Sequence, residues 1–179
     1  MKPVKIVYLM LALVLPVSIF LFLKYFGENK FSVEPLFKNG VESNTECPES
    51  LQGQYYVSED ILIQLRWSEE KKLTLFCCPD NVTQNSSQLT RIGESIDTTQ
   101  FLIIKVVPKE DNSYPPIDYS MVSIQSDSLN QWKKCALFLK SPYDLILIDN
   151  QRRIRGYYQL SNREEVDRLL LEIKIILMD

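Results

Sequence analysis

LILIDNQRRIRGYYQLSNREEVDRLLLEIKIIL, residues 145–177, is the stretch that decides the fold of this chain. Leu145 to Asp149 and Arg153 to Tyr158 are two short β-prone runs separated by three turn residues, which predicts an antiparallel hairpin. Ser161 and Glu164 fit a capping box, so a helix is expected to follow the hairpin. Its apolar residues recur at helical spacing along one face: Val166, Leu169, Leu170, Ile173 and Leu177.

Two further apolar runs precede this stretch, and both predict strands that are covered on two faces. Leu73 to Cys78 is almost continuously apolar. Pro79 and Asp80 come directly after it, which predicts a polar helix with Asp80 as its N-cap, running towards Ile96. Phe101 to Val107 is the second run, and Pro108 is expected to end it.

Weaker patterns fill the rest of this region. Gln54 to Val57 and Ile61 to Leu65 predict short strands. Residues 108–130 are rich in Pro, Ser, Asp and Asn, which predicts a loop with one brief strand at Met121 to Ile124. The order strand, helix, strand, loop, hairpin, helix indicates an α/β fold with a mixed sheet, and the thioredoxin-like fold is the smallest common version with a terminal hairpin and helix.

The first residues of the chain predict a transmembrane helix. Ile6 to Leu23 contains no charged residue and is bounded by Lys5 and Lys24, a length that suits the hydrocarbon core of a bilayer. A cleaved signal peptide is the alternative, but bulky residues continue the apolar run where a small-residue cleavage site would stand. We therefore expect residues 1–26 to be a cytoplasmic stub and anchor, 27–52 a tether and extended arm, and 53–179 the thioredoxin-like domain.

The charges that flank the predicted anchor give its orientation. The N-terminal amine, Lys2 and Lys5 outweigh Lys24 and the mixed charges that follow, so the N-terminus is expected inside the cell. No Arg-rich and Ser-rich transit peptide precedes the anchor, which favours a bacterial cytoplasmic membrane with the C-terminal domain on the periplasmic side.

Composition excludes several classes of function. The 179 residues include 20 basic and 23 acidic ones, well mixed, with a formal net charge of -3, so no nucleic-acid partner is expected. There is no histidine, which removes the most common general base and a frequent metal ligand. Because no catalytic triad, glycine-rich phosphate loop, zinc spacing or carboxylate pair is evident either, we expect a protein that is not an enzyme.

The C-terminal stretch resembles the SCO/SenC family, membrane-anchored thioredoxin-fold proteins that deliver copper to cytochrome oxidase. The family hairpin is roughly LID-x-x-GRIRGYYDG, followed by an EEV-x-x-L helix. This chain departs from it at Arg152 and Leu160, each in place of Gly, and at Gln159 in place of Asp. Residues 106–111, VVPKED, resemble the family's VDP-x-x-D strand end, and Trp132 resembles an aromatic residue that precedes the hairpin.

The resemblance implies a copper site of which one ligand remains. In the family, a C-P-x-x-C pattern after the first buried strand and a distant His bind copper, since two thiolates and an imidazole form a soft site. Here Cys78 and Pro79 match, while Val82 stands for the second Cys and the place of the His falls near Ser141. No cofactor is therefore certain, and copper at Cys78 is possible through an incomplete site.

Two interpretations stay open for each pair of cysteines. Cys78 is expected at a strand end before a helix, which suits a reactive thiolate, although a small buried hydrophobic residue would also fit there. Cys77 would face the other side of the sheet, as a buried residue or as the thiol that resolves a mixed disulfide. Cys47 and Cys135 are expected either to form a disulfide in an oxidising compartment or to remain two unpaired thiols.

The hairpin turn carries charges at Asp149, Arg152, Arg153 and Arg155, which predict a solubilising surface or, alternatively, a docking contact for an acidic partner. Three functions follow from the sequence. The first is an accessory that binds respiratory oxidase assembly proteins or copper carriers, the second a thiol-dependent redox protein that uses Cys78, and the third a purely structural interaction domain.

Overall fold

A computed structural model of the chain describes residues 3–26, 32–42, 47, 50–79, 86–109 and 120–178, and within its first helix the side chains of residues 8, 10–22 and 24. The chain divides into two units, residues 1–32 and 33–179. The first contains helix α1, Pro3–Phe26, with Pro16 in its interior. Among the described residues, no helix has both the length and the apolar character needed to cross a bilayer. The transmembrane anchor predicted for residues 1–26 therefore stays a prediction.

The second unit is a three-layer α/β structure around a five-stranded mixed sheet. Its elements, in chain order, are β1 (Gly40–Val41), β2 (Leu51–Gln52), α2 (Glu59–Gln64), β3 (Leu73–Cys77), α3 (Ser86–Ser95), β4 (Phe101–Pro108), β5 (Ser120–Ile124), α4 (Ser126–Cys135), β6 (Leu145–Asp149), β7 (Ile154–Tyr158) and α5 (Arg163–Met178). The strand order is β5-β4-β3-β6-β7, and β1 and β2 form a separate two-stranded ladder.

Strand direction within the sheet follows from the connections. β3, β4 and β5 are parallel, whereas β6 is antiparallel to both β3 and β7. α3 connects β3 to β4, as a parallel pair requires a crossover, and the four residues 150–153 suffice to connect the antiparallel β6–β7 hairpin. The predicted α/β class and mixed sheet are thus confirmed, and the arrangement is consistent with a thioredoxin-like fold.

Side chains from the two faces of the sheet form two apolar clusters. Leu75 and Leu147 lie on one face with α3 and α5, while Phe76 and Ile146 lie on the other with α2 and α4. β3 and β6 are buried along their whole length because helices cover them on both sides, which explains their continuous apolar sequence.

Two of the weaker strand predictions are wrong. The segment predicted as a strand at Ile61 to Leu65 lies largely in helix α2, which begins after Ser58 with Glu59 and Asp60 in its first turn, where acidic side chains favour a helix. Residues 54–57 belong to no strand. Their backbone N–H groups at Tyr55 and Val57 instead make isolated hydrogen bonds to two different segments, with the carbonyls of Phe37 and Arg152.

Helix α4 was not predicted: its first half, residues 126–130, falls in the region expected to be a loop, and no element was predicted for residues 131–135. Its sequence SDSLNQWKKC has Asp127 in the first turn and two lysines in the last, which complements the helix dipole. Leu129 and Trp132, three residues apart, turn the same face towards the apolar cluster of α2. The strand expected just before it is confirmed as β5.

The start of α5 also differs from the expectation. Asn162, rather than Ser161, accepts a hydrogen bond from the N–H of Glu164 through its Oδ1, at 2.9 Å. Its backbone carbonyl accepts the first helical bond from Val166. The predicted capping box is therefore wrong by one residue. The helix and its buried face are confirmed up to Ile173, beyond which Ile176 is buried and the predicted Leu177 is only partly buried.

Candidate functional site

The end of β3 carries the two cysteines that the sequence singled out. Cys77 is the last residue of the strand, and Cys78 follows it with its N–H donating to the backbone oxygen of Asp144 at 2.8 Å. The two side chains face opposite sides of the sheet, Cys77 towards α3 and α5 and Cys78 towards α2 and α4. Both are buried, so neither thiol is presented to solvent at this strand end.

The electrostatic surroundings of Cys77 disfavour its thiolate. Burial raises the pKa of the Cys77 thiol well above its ordinary value, and the negative charges of ionised Cys78 and of Asp144 raise it further. Lys105 and Lys133 oppose this shift but are outweighed. Cys77 is therefore a poor nucleophile in the folded chain, which matches a small buried hydrophobic residue better than a resolving thiol.

Lys105 is a member of this strand end that sequence reasoning missed. It lies beside Cys77 in the β3–β4 register and is 7% exposed. The signal was a single Lys inside the otherwise apolar run Phe101 to Val107, because a charged residue in a buried strand needs compensating polar contacts.

The structure describes only part of the predicted copper site. Asp80, predicted as a helix cap, and Val82, at the second ligand position, both lie outside the described residues. Ser141, near the place of the family's His, is exposed in the segment before β6. Within the described parts of the chain, no three cysteine or carboxylate side chains come together in a way that could hold a metal ion.

Cys47 and Cys135 are joined by a disulfide, with their Cα atoms 5.4 Å apart. Cys47 belongs to the segment between β1 and β2, and Cys135 is the last residue of α4. The bond thus connects the arm, of which residues 33–42, 47 and 50–52 are described, to the helix that covers one face of the sheet.

The disulfide borders a cavity of about 510 Å³ between the arm and α4. Much of its wall is aromatic, and its lining includes Tyr55, Tyr56, Trp132, Phe138 and both cysteines. Part of this wall is held firmly, because the hydroxyl of Tyr55 donates to the carbonyl oxygen of Ala136 at 2.8 Å and the rings of Tyr55 and Phe138 lie edge to face, 5.0 Å apart. Sequence reasoning missed this cavity because its lining residues come from distant segments.

Most of the charged side chains of the hairpin turn are shielded from solvent. Asp149 is 3% exposed, and its carboxylate accepts hydrogen bonds from the backbone N–H groups of Gln151 and Arg153 and from the guanidinium groups of Arg153 and Arg155. Arg155 also donates to the carbonyl oxygen of Val33, which ties the arm to the hairpin. The interpretation as a solubilising surface is therefore wrong for Asp149 and Arg155, whose charges are needed inside the fold.

Comparisons with known proteins give a weak likeness in structure. No family model matches the chain, and no curated protein matches it. A solved structure described as BsSco, a member of the Sco family of cytochrome c oxidase assembly proteins with a disulfide switch, is 10% identical over 82% of this chain and 98% of that one, with a TM-score of 0.49.

Two other solved structures are similar to a comparable degree. A protein of Aquifex aeolicus VF5 suggested to act in electron transfer is 11% identical over 74% of this chain and 90% of that one, with a TM-score of 0.46. Trgpx in its apo form is 12% identical over 82% of this chain and 97% of that one, with a TM-score of 0.45. These values do not assign the chain to a family, and the resemblance to SCO/SenC proteins stays a prediction from its sequence.

Proposed function

We propose that this chain is a membrane-tethered, SCO/SenC-like accessory protein that acts by binding during assembly of the copper centres of cytochrome c oxidase. The observation that carries the proposal is the position of Cys78. It follows the central strand β3 and precedes Pro79, where the resembled family has its first copper ligand, and Cys77 lies on the opposite face. The chain thus has one sulfur ligand at the position where the resembled SCO/SenC proteins bind copper with three ligands.

A single sulfur favours docking over copper storage. One thiolate is too few for a high-affinity copper site, and Cys77 cannot supply a second because successive residues of a strand point to opposite faces. Cys78 is 2% exposed, so even a shared site with a copper carrier requires the strand end to open. In this proposal the domain binds an oxidase assembly protein or a copper carrier, and Cys78 contributes at most one ligand to a site that the partner completes.

Deletion of the gene tests the assembly role. We expect membranes of the deletion strain to lose cytochrome c oxidase activity and oxidase-bound copper, and the wild-type chain to restore both. Cys78→Ser and Cys77→Ser form a matched pair of complementing variants, because only Cys78 occupies the predicted ligand position. Restoration by Cys77→Ser together with a partial defect in Cys78→Ser supports a shared copper ligand, whereas oxidase activity and copper that do not change on deletion contradict the proposal.

Copper(I) titration of the purified chain in detergent separates binding from copper storage. Against a competing chelator, the chain alone is expected to show no submicromolar copper site, since a single thiolate is available. A submicromolar site that is lost in Cys78→Ser would contradict the incomplete site and indicate a copper carrier instead.

The tether is proposed from the sequence of α1. Residues 6–23 carry no charge, and the apolar side chains described in α1, such as Met10, Leu13, Phe20 and Phe22, are largely exposed. An uncharged apolar stretch of 18 residues in the sequence suits the hydrocarbon core of a bilayer. In our proposal the helix anchors the chain in the bacterial cytoplasmic membrane with its N-terminus inside and the domain on the periplasmic side. Release of the intact chain by alkaline carbonate, or a mature protein that begins beyond residue 26, would contradict this anchor.

A further inference from the structure

We propose that the cavity between the arm and α4 is a thiol–disulfide exchange site, in which the Cys47–Cys135 bond accepts electrons from a dithiol. This site is separate from Cys78 and does not depend on the proposed role in oxidase assembly. Its chemistry rests on the disulfide itself, on the cavity that reaches it and on the way the arm is held.

The two sulfur-bearing residues form part of a cavity wall large enough to admit a reactant. A volume of about 510 Å³ is within the range of small-ligand sites. Cys135 is half-buried, whereas Cys47 is 9% exposed, so a thiol that enters the cavity reaches Cys135 more readily. The aromatic wall formed by Tyr55, Trp132 and Phe138 suits the apolar residues that flank the thiols of a dithiol peptide or protein.

The exchange proceeds in two balanced steps. A thiolate of the dithiol attacks Sγ of Cys135; a mixed disulfide forms, the Cys135–Cys47 bond breaks, and Cys47 leaves as a thiolate that takes a proton from solvent. The second thiol of the dithiol, after losing its proton, attacks the mixed disulfide and releases Cys135, which is protonated in turn. The dithiol loses two electrons and two protons and becomes a disulfide. Cys47 and Cys135 gain two electrons and two protons and become two thiols.

Reduction of the Cys47–Cys135 bond is expected to affect the arm only locally. Its stem is held by backbone hydrogen bonds, from the N–H of Leu36 to the carbonyl of Ile154 and from the N–H of Tyr55 to the carbonyl of Phe37. Cys47 lies beyond this stem, between β1 and β2, and the disulfide joins it to α4. Breaking the bond therefore removes the covalent link between Cys47 and α4, while the hydrogen bonds of the stem stay in place.

The rate of reduction in the folded chain tests the site. The full-length protein in detergent is treated with dithiothreitol, quenched with N-ethylmaleimide at intervals and mapped by mass spectrometry. Labelling of Cys77 by the maleimide in a parallel sample without reductant reports unfolding, because Cys77 is fully buried. Each rate is divided by the rate of the same reaction in the urea-unfolded chain.

We expect reduction of Cys47–Cys135 in the native protein to be within about tenfold of the unfolded rate, and labelling of Cys77 to be slowed by more than about a thousandfold, as for groups that react only after opening. If the two reactions are slowed by the same factor, the disulfide is reached only through unfolding and the proposal is overturned.

A variant that fills the cavity gives a second, independent test. Gln131 is exposed on α4 and lines the cavity, whereas its neighbour Asn130 is exposed on the same helix and is not among the lining residues. Gln131→Trp is expected to slow native reduction by about tenfold and Asn130→Trp to leave it unchanged, since exchange depends on access to the sulfur. Equal rates in the two variants would show that the thiol does not enter through this cavity.

The site of attack is read from the mixed disulfide. With reduced glutathione, a monothiol that has no second thiol for an intramolecular second step, we expect the adduct trapped by early quenching to be on Cys135, with the thiol of Cys47 released. An adduct on Cys47 would overturn the assignment of the attacked sulfur. The net rate with each reductant is divided by its rate with the urea-unfolded chain; a ratio that is much higher for dithiothreitol than for glutathione supports a dithiol as the reactant, and equal ratios contradict it.

Discussion

The side chain of Asp149 holds the β6–β7 turn together through hydrogen bonds and ion pairs. Its buried carboxylate accepts two backbone N–H groups and compensates the charges of Arg153 and Arg155, of which the second is 10% exposed in its side chain. Asp149→Asn removes the negative charge and leaves both guanidinium groups without an ion pair. We expect the free energy of unfolding to fall by about 3 kcal/mol, measured by urea titration of the full chain in detergent.

The control for this prediction is Glu59→Gln. Glu59 pairs with Arg152 at 3.5 Å, and its side chain is 67% exposed, so its ion pair contributes less than about 1 kcal/mol. Equal losses in the two variants would contradict the role assigned to the buried carboxylate.

Arg152 occupies a backbone conformation that favours glycine. Its φ is +65°, in the left-handed region, where the resembled family has a Gly and this chain does not. Arg152→Gly is expected to raise the free energy of unfolding by about 1 kcal/mol, because a side chain in this region costs about 1 to 2 kcal/mol. Arg152→Ala is the matched control, since it also loses the contact with Glu59 but keeps the strain. A Gly variant no more stable than the Ala variant in urea titration would disprove the explanation.

The raised pKa of the Cys77 thiol predicts that the free energy of unfolding falls at alkaline pH. Its folded pKa is raised by burial above that of the unfolded chain, so the stabilisation is complete below the unfolded pKa and is lost as pH rises above it. From about pH 9 upward this single thiol lowers the free energy of unfolding by about 1.4 kcal/mol per pH unit. Urea titrations of wild type and Cys77→Val between pH 7 and 10 test it. A slope that is the same in the variant would rule out Cys77 as the cause.

At the scale of elements, the sequence predicts best where one pattern dominates. β3, β4, the β6–β7 hairpin and α5 have long apolar runs or a clear helical period, and tertiary packing reinforces what each segment favours locally. Helix α2 has only six residues and α4 is mostly polar, so their periodicity was too weak to distinguish a helix from a strand or a loop. Acidic residues in the first turn of each helix, and the two lysines in the last turn of α4, were the stronger signal.

Helix α5 shows how the periodic face translates into stability. Ile173 is fully buried against the sheet, whereas Leu171, two residues earlier on the same helix, is 61% exposed. Ile173→Ala is expected to lower the free energy of unfolding by about 2 to 5 kcal/mol, through lost burial and the cavity left behind. Leu171→Ala is expected to change it by less than about 0.5 kcal/mol, as for a surface position. Similar urea midpoints for the two variants would disprove the predicted orientation of the helix.

At the scale of the second unit, the candidate sites depend on contacts between distant segments. The sequence indicated Cys78 because the pattern around it is local, and it left the state of Cys47 and Cys135 open because the two are far apart in the chain. The cavity that they border draws its wall from the arm, α2 and α4, two of which were predicted in other conformations or not at all. Periodicity describes one segment at a time, and it carries no information about which segments meet.

The Cys47–Cys135 bond closes a loop with a sequence separation of 88 residues, and this predicts its effect on the whole unit. A loop of this length restricts the unfolded chain enough to stabilise the fold by about 4 to 5 kcal/mol in the chain-entropy model. We expect the double variant Cys47→Ser, Cys135→Ser to lose up to this amount in urea titration. Reduced wild-type protein should lose the same amount, since it lacks the same cross-link. Because the arm's stem keeps its backbone bonds to β7, the circular dichroism spectrum of the folded double variant should match that of the wild type. A variant that is fully unfolded without denaturant would contradict this view, because the two apolar clusters and the arm's stem do not require the disulfide for their contacts.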